Sequence, residues 1–275
     1  MSYATIMVNL ALDQPNASRL RVAADLAERF GSRAIGIAAA DFSPPVYYTS
    51  GEPAQEMIDQ GLASIRSRLE ALESEFRAAL AQRCREIEWR SAVDLPSKYI
   101  VRQARAADLV IGGGTQGAFV DPFTQADPTD LIMQIGRPLL TVPTDAGPID
   151  LGSVLVAWKD SPEARRAVAD ALPLLRQAGR VTVAEIVDDE AGRSVAVAGV
   201  DDVVAWLARH GIVASGLVPE RTDDAMRELD RIAASLGAGV VVAGAYGHSR
   251  FREWILGGVT QHLLSQGTRC VLASR

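Results

Sequence analysis

Two seven-residue stretches decide how this chain folds: Ala107-Asp-Leu-Val-Ile-Gly-Gly113 and Ala238-Gly-Val-Val-Val-Ala-Gly244. Each is a short apolar run closed by glycine, as in a strand buried on both faces of a parallel sheet. Downstream of each lies another such run, Arg137-Pro-Leu-Leu-Thr-Val142 and Arg269-Cys-Val-Leu-Ala-Ser274. Upstream, Thr5-Ile-Met-Val8 aligns with Ser153-Val-Leu-Val156, and both lead through a polar loop into an Ala-rich helix. Three matches in the same order predict a divergent tandem repeat rather than chance matches within one large doubly wound sheet. The turn-rich segment Pro143-Thr-Asp-Ala-Gly-Pro-Ile-Asp150 separates the copies, giving expected units of residues 1–146 and 150–275.

Between the strands the apolar residues repeat at helical spacing. In the first half Asn16 offers an N-cap, and Leu20, Ala23, Ala24, Ala27 and Phe30 share a face up to Gly31. Ile58, Leu62, Ile65, Leu69, Leu72, Phe76 and Leu80 form one long stripe, expected to pack on the chain's own sheet rather than in a coiled coil. Strands are expected at 34–39, 87–93, 109–112 and 139–142, with a helix from about Ser97. In the second half Ser161 caps a helix through Leu175, with Pro173 disturbing its last turn. Strands follow at 181–187, 213–218, 240–243 and 270–273, with helices at 201–210 and 224–236 ended by Gly211 and Gly237.

Composition excludes several classes. The 275 residues are 48% hydrophobic and 23% charged, a globular composition that is not disordered. A net charge of −6 argues against a nucleic-acid partner. Cys84 and Cys270, one in each half, cannot form a disulfide framework, and three histidines supply no zinc cluster. The N-terminus lacks a basic segment and Asp13 interrupts its apolar run, so no secretory signal is expected. No apolar run approaches about 18 residues, so no membrane span is expected either. A cytoplasmic location fits best.

Chemistry concentrates in Gly244-Ala-Tyr-Gly247-His-Ser-Arg-Phe-Arg-Glu-Trp-Ile-Leu-Gly257-Gly258-Val259-Thr260. It begins at the carboxyl end of a strand, where parallel sheets bind ligands, and leads into a helix expected near Gly258. Glycines there let backbone approach a phosphate closely. Amides near Val259 and Thr260 would then point at the anion, and Thr260 adds a hydroxyl donor. The segment is neither a P-loop nor the Rossmann fingerprint.

The spacing of Gly244, Gly247 and Gly257, with Val259-Thr260 after them, resembles the nucleotide-binding signature of the universal stress protein family, G-x2-G-x9-G followed by Ser or Thr. The resemblance implies two tandem doubly wound five-stranded parallel sheets, adenine nucleotide alpha hydrolase-like, with helices on both faces. It implies ATP, AMP or ADP as ligand, with Mg2+ only alongside the nucleotide. It places ligand contacts at Ala157, Lys159, Val187 (or Ile186), Ala243, Gly244, Gly247, Gly257, Gly258, Val259 and Thr260. Two departures stand out: Gly258 replaces the Ser/Thr, and Lys159 stands where the family carries Asp, with Asp160 one residue later.

The first half departs further. Gly113-Gly-Thr-Gln-Gly117 starts similarly, but no glycine pair opens the next helix, which Asp127 caps and Pro128 starts. Asp121 and Asp127 would repel phosphate, although Asp13 sits where the family's aspartate might lie, so nucleotide is expected only in the second half. His248 and Ser249 lack an orienting acid and read as loop polarity, with a phosphate contact from them or Arg250 as the alternative. His262, Tyr246 and Trp254 read as surface or packing residues. Phe42 to Tyr48 forms a proline-aromatic loop of undecided role. The expected function is a stress-response protein acting through nucleotide-dependent conformation or partner binding, as a homodimer or an intramolecular pseudo-dimer. No catalytic constellation is visible, so hydrolysis would be slow at most. The alternatives are a ligand-free stress module and, less favoured, a hydrolytic or adenylate-forming enzyme, whose Ser-Gly-Gly-x-Asp-Ser-type loop neither half carries.

Overall fold

The computed structural model describes residues 2–43, 52–114, 120–187, 192–220, 224–245, 261–264 and 267–275. In chain order the first half holds β1 (Thr5–Asn9), α1 (Ala17–Phe30), β2 (Arg33–Ala40), α2 (Glu52–Leu80), β3 (Ile87–Val93), α3 (Pro96–Gln103), β4 (Leu109–Gly113), α4 (Pro128–Gln134) and β5 (Leu139–Val142). A short 3-10 turn, Ala104–Ala106, follows α3. The second half holds β6 (Val154–Trp158), α5 (Pro162–Leu175), β7 (Val181–Glu185), α6 (Arg193–Arg209), β8 (Ala214–Leu217), α7 (Ala225–Ser235), β9 (Val240–Gly244) and β10 (Cys270–Ser274). Residues 261–264 are helical.

The strands lie in the order β3-β2-β1-β4-β5-β10-β9-β6-β7-β8. Each half therefore repeats one order, with its first strand between its second and fourth. Pairing is parallel within each half. The halves meet at β5 and β10, which pair antiparallel with Leu140 opposite Leu272. The two expected sheets are thus one ten-stranded sheet made of two five-stranded parallel units. Central strands are apolar and buried throughout, whereas the edge strands β3 and β8 are partly exposed, as expected of strands with one free side.

Helices cover both faces. The largest apolar cluster joins residues of α1, α2, α5 and α6, and it runs across both halves from Tyr3 and Val8 to Val156 and Leu172. The Tyr3 hydroxyl adds a cross-half hydrogen bond to the Asp170 carbonyl at 2.7 Å. On the other face α3 and α4 supply Ile100, Leu131 and Ile132 to one cluster, and α7 supplies Leu229, Ile232 and Ala233 to another.

Several local signals work as read. Gly31, Gly211 and Gly237 take positive φ of 65°, 77° and 58° just past their helices, where a side chain would be strained. The Asp127 carboxylate accepts the Thr129 amide at 2.7 Å, with Pro128 in the first turn of α4. In α2 the stripe is buried from Ile65 to Leu80, packed with β2 and β3 residues in the main cluster, while Ile58 and Leu62 are half-buried. The proline-aromatic loop falls largely outside the described residues, but Phe42 lies within them and packs on Gly61, where a Cβ would stand 2.5 Å from its ring.

Other expectations are corrected. Asn16 precedes α1 without capping it; its side chain instead accepts the Ala11 amide and donates to the Ala11 carbonyl, both at 3.0 Å. The amide thus organises the loop after β1. α6 starts at Arg193, well before Asp201, because Ala196 and Val200 are buried and Val200 packs where Gly216 of β8 lacks a side chain. β7 stops at Glu185, two residues short of Val187. α5 continues two residues beyond Pro173.

Candidate functional site

In a doubly wound sheet the ligand crevice opens where neighbouring crossovers leave in opposite directions, beyond the carboxyl ends of the strands. Here that point falls between β1 and β4, and again between β6 and β9. In the second half Ala157 of β6 is the register partner of Ala243 in β9 and of Ala184 in β7, and Ala243 in turn pairs with Ala273 of β10. A row of alanines thus crosses four strands one residue before their ends, which are Gly244, Trp158, Glu185 and Ser274.

Gly244 follows that row and meets the start of α5. A Cβ there would lie 2.5 Å from the Ala164 amide nitrogen and 2.9 Å from its Cα, so only glycine lets the strand end and the helix touch. The first turn of α5 is fixed by Ser161, whose hydroxyl accepts the Ala164 amide at 3.2 Å. Pro162 occupies its opening position. The positive end of a 14-residue helix is thereby held at the crevice, where it favours an anion.

Charged side chains surround this point. Lys159 is exposed just beyond β6. Asp160, also exposed, pairs with Arg165 along α5, at 3.1 Å from its Nε. Glu185, at the end of β7, has its carboxyl pushed up by burial and by the nearby Asp160, with Lys159 working in the opposite sense. Glu163 in the first turn of α5 has its Oε2 out of solvent with no hydrogen-bond partner among the described residues. Val187 is buried just past β7, and Ile186 is half-buried beside the α7 cluster.

The described structure brings together Ala157, Lys159, Ala243 and Gly244, with Val187 close in sequence to the neighbouring strand end. Gly247, Gly257, Gly258, Val259 and Thr260 lie outside the described residues, as do Tyr246, His248, Ser249, Arg250 and Trp254. His262 is half-buried, with its Nε2 2.7 Å from Asp230 of α7, so it fastens the helical residues 261–264 to that helix. The sequence alone did not single out Glu163 or Glu185; their placement beyond two adjacent strands follows only from the strand order.

The same point in the first half is built differently. Arg19, the third residue of α1, is only 4% exposed and reaches back over the ends of β1 and β4. Its Nη1 donates to the Asn9 carbonyl at 3.1 Å and its Nη2 to the Gln14 Oε1 at 2.6 Å. Gln14 then donates to Gln125 Oε1 at 2.7 Å. Burial pulls the guanidinium pKa down to about 10, partly offset by Glu75. Gly113 lies against this guanidinium, whose Nη2 would be 2.8 Å from a Cβ. Asp13 faces elsewhere: it pairs with Arg68 of α2, whose hydrogen bond holds its carboxyl below the usual range. Asp121 is engaged in its own turn, accepting the Phe123 amide at 3.0 Å. Aligning the third residues of α1 and α5, Arg19 against Ala164, is the signal that would have exposed this difference in the sequence.

No family sequence model matches the chain, and no curated protein matches it. Solved structures do. A universal stress protein from Archaeoglobus fulgidus DSM 4304 superposes with a TM-score of 0.75 at 12% identity, covering 98% of this chain and 96% of that one. A functionally unknown protein from Pseudomonas aeruginosa PAO1 superposes with a TM-score of 0.62 at 17% identity, covering 99% and 92%. No helix among the described residues is long and apolar enough to cross a membrane. The chain therefore has, along its whole length, the fold of a universal stress protein, with two five-stranded units joined in one sheet.

Proposed function

We propose that this chain is a tandem universal stress protein that binds ATP or a related adenine nucleotide in its second half, with units of residues 1–146 and 150–275. The nucleotide would lie beyond β6 and β9, on Ala157, Lys159, Val187, Ala243 and Gly244 and on the segment Gly247, Gly257, Gly258, Val259 and Thr260. The observation that carries this is the contact of Gly244 with the first turn of α5, at the head of a G-x2-G-x9-G segment.

The residues fit the group. Gly244 brings the end of β9 against the first turn of α5, and the helix start supplies a dipole that favours an anion there. Lys159 adds an exposed cation that can neutralise a phosphate oxygen where a carboxylate would repel it. The Oε2 of Glu163, which has no partner among the described residues, is an acceptor for a ligand hydroxyl or amino group. Mg2+ would arrive only with the nucleotide. Function would follow from nucleotide-dependent conformation or partner binding in a stress response, with the β5–β10 pairing serving as a pseudo-dimer contact inside one chain.

Mass spectrometry of small molecules released from the purified protein, before and after incubation with ATP, tests this proposal. Recovery of an adenine nucleotide is expected. Protein that retains none after incubation would instead be a ligand-free stress module.

A further inference from the structure

We infer that the first half is closed to ligand by its own side chains, and that the third residue of the helix after each unit's first strand, Arg19 or Ala164, decides which half can take a nucleotide. This rests on reading the second half as the nucleotide site. The two positions correspond through the repeat: Gly113 and Gly244 end equivalent strands, and α1 and α5 each follow the first strand of their unit. At Gly244 the nearest atoms belong to helix backbone, whereas at Gly113 they all belong to the Arg19 guanidinium.

Arg19 does more than fill space. Together with Asn9, Gln14 and Gln125 it makes a continuous polar bridge from the end of β1, across β4, to the segment before α4. What remains of the crevice, between Asn9, Gln14, Arg19, Gly113, Gln125 and Pro128, is a cavity of about 10 Å3. That is room for roughly one water, whereas small-molecule sites occupy about 300–1,000 Å3. No carboxylate among the described residues comes within ion-pair distance of the guanidinium, and its acceptors here are neutral. A buried cation with such partners is costly to keep for stability alone. Occupying the crevice gives it a role that a surface arginine would not fill.

Two measurements with ATP as the probe test this. In the unmodified protein, hydrogen exchange should slow on ATP addition around residues 157–160 and 240–245 and stay unchanged at 9–14 and 120–128; protection of the 9–14 segment would overturn the inference. In equilibrium dialysis, Arg19→Ala combined with Gln14→Ala should gain one equivalent of ATP relative to the parent, with circular dichroism confirming its fold. A folded variant with unchanged stoichiometry would overturn it. If the parent binds no ATP, the reading of the second half fails by itself; a first equivalent appearing in the variant would still support the closure.

Discussion

At the scale of single residues, Gly244 is the position where the end of β9 meets the first turn of α5. A methyl group there would press on backbone atoms of Ala164, which cannot rotate away as a side chain could. Gly244→Ala is therefore expected to destabilise the protein by about 1–3 kcal/mol, the usual cost of overpacking, in urea unfolding. Unchanged stability would mean that α5 does not press on β9 as described. Glu185, at the end of β7, is expected to give the proposed site its pH response. Its folded pKa is raised by burial, then by Asp160, against the opposing effect of Lys159. The ionised carboxylate therefore costs stability above that raised pKa, and the cost disappears as pH falls below it. An anionic nucleotide adds repulsion of the same sign. ATP affinity is accordingly expected to weaken severalfold as pH rises through the Glu185 titration, and Glu185→Gln should flatten the profile. A parent profile as flat as the variant's would remove Glu185 from the site.

At the scale of elements, the helix starts divide into those held by side-chain caps and those held by packing. Ser161 caps α5, and Ser161→Ala should cost about 1 kcal/mol, measured by thermal or denaturant unfolding. No loss would mean that Pro162 and the strand contact alone fix the helix start. Periodicity made most elements legible, because strands with short apolar runs and helices with regular stripes bury those patterns directly. The start of α6 was not legible. Ser194, Val195, Val197 and Gly199 are weak helix formers, and the helix forms there because Ala196 and Val200 are buried, with Val200 reaching Gly216. Asn16 misled for a related reason: the residue type suits an N-cap, but its amide satisfies both backbone groups of Ala11 instead. Of the second-half glycine segment only Gly244 and Ala245 lie among the described residues, at the end of β9 as read, and Glu163 and Glu185 come near that end only through a strand order that local patterns do not encode.

At the scale of the whole molecule, the antiparallel β5–β10 contact turns a sequence repeat into one sheet, and the main apolar cluster runs through both halves. Neither feature can be read from one segment: β5 and β10 are short apolar runs that would pair in either direction. Unfolding should consequently be a single cooperative transition, with the calorimetric and van't Hoff enthalpies in agreement; two separated transitions would show that the halves are energetically independent. Sedimentation should give a monomer, since the pairing surface is already used within the chain, and a stable dimer would place a further interface elsewhere. The central claim is that duplication has left one nucleotide site, in the second half. Isothermal titration of the parent and of Gly247→Trp with ATP tests it most directly. One equivalent per parent chain and none in the variant is the expected result; two equivalents, no binding by the parent, or unaltered binding in the variant would contradict it.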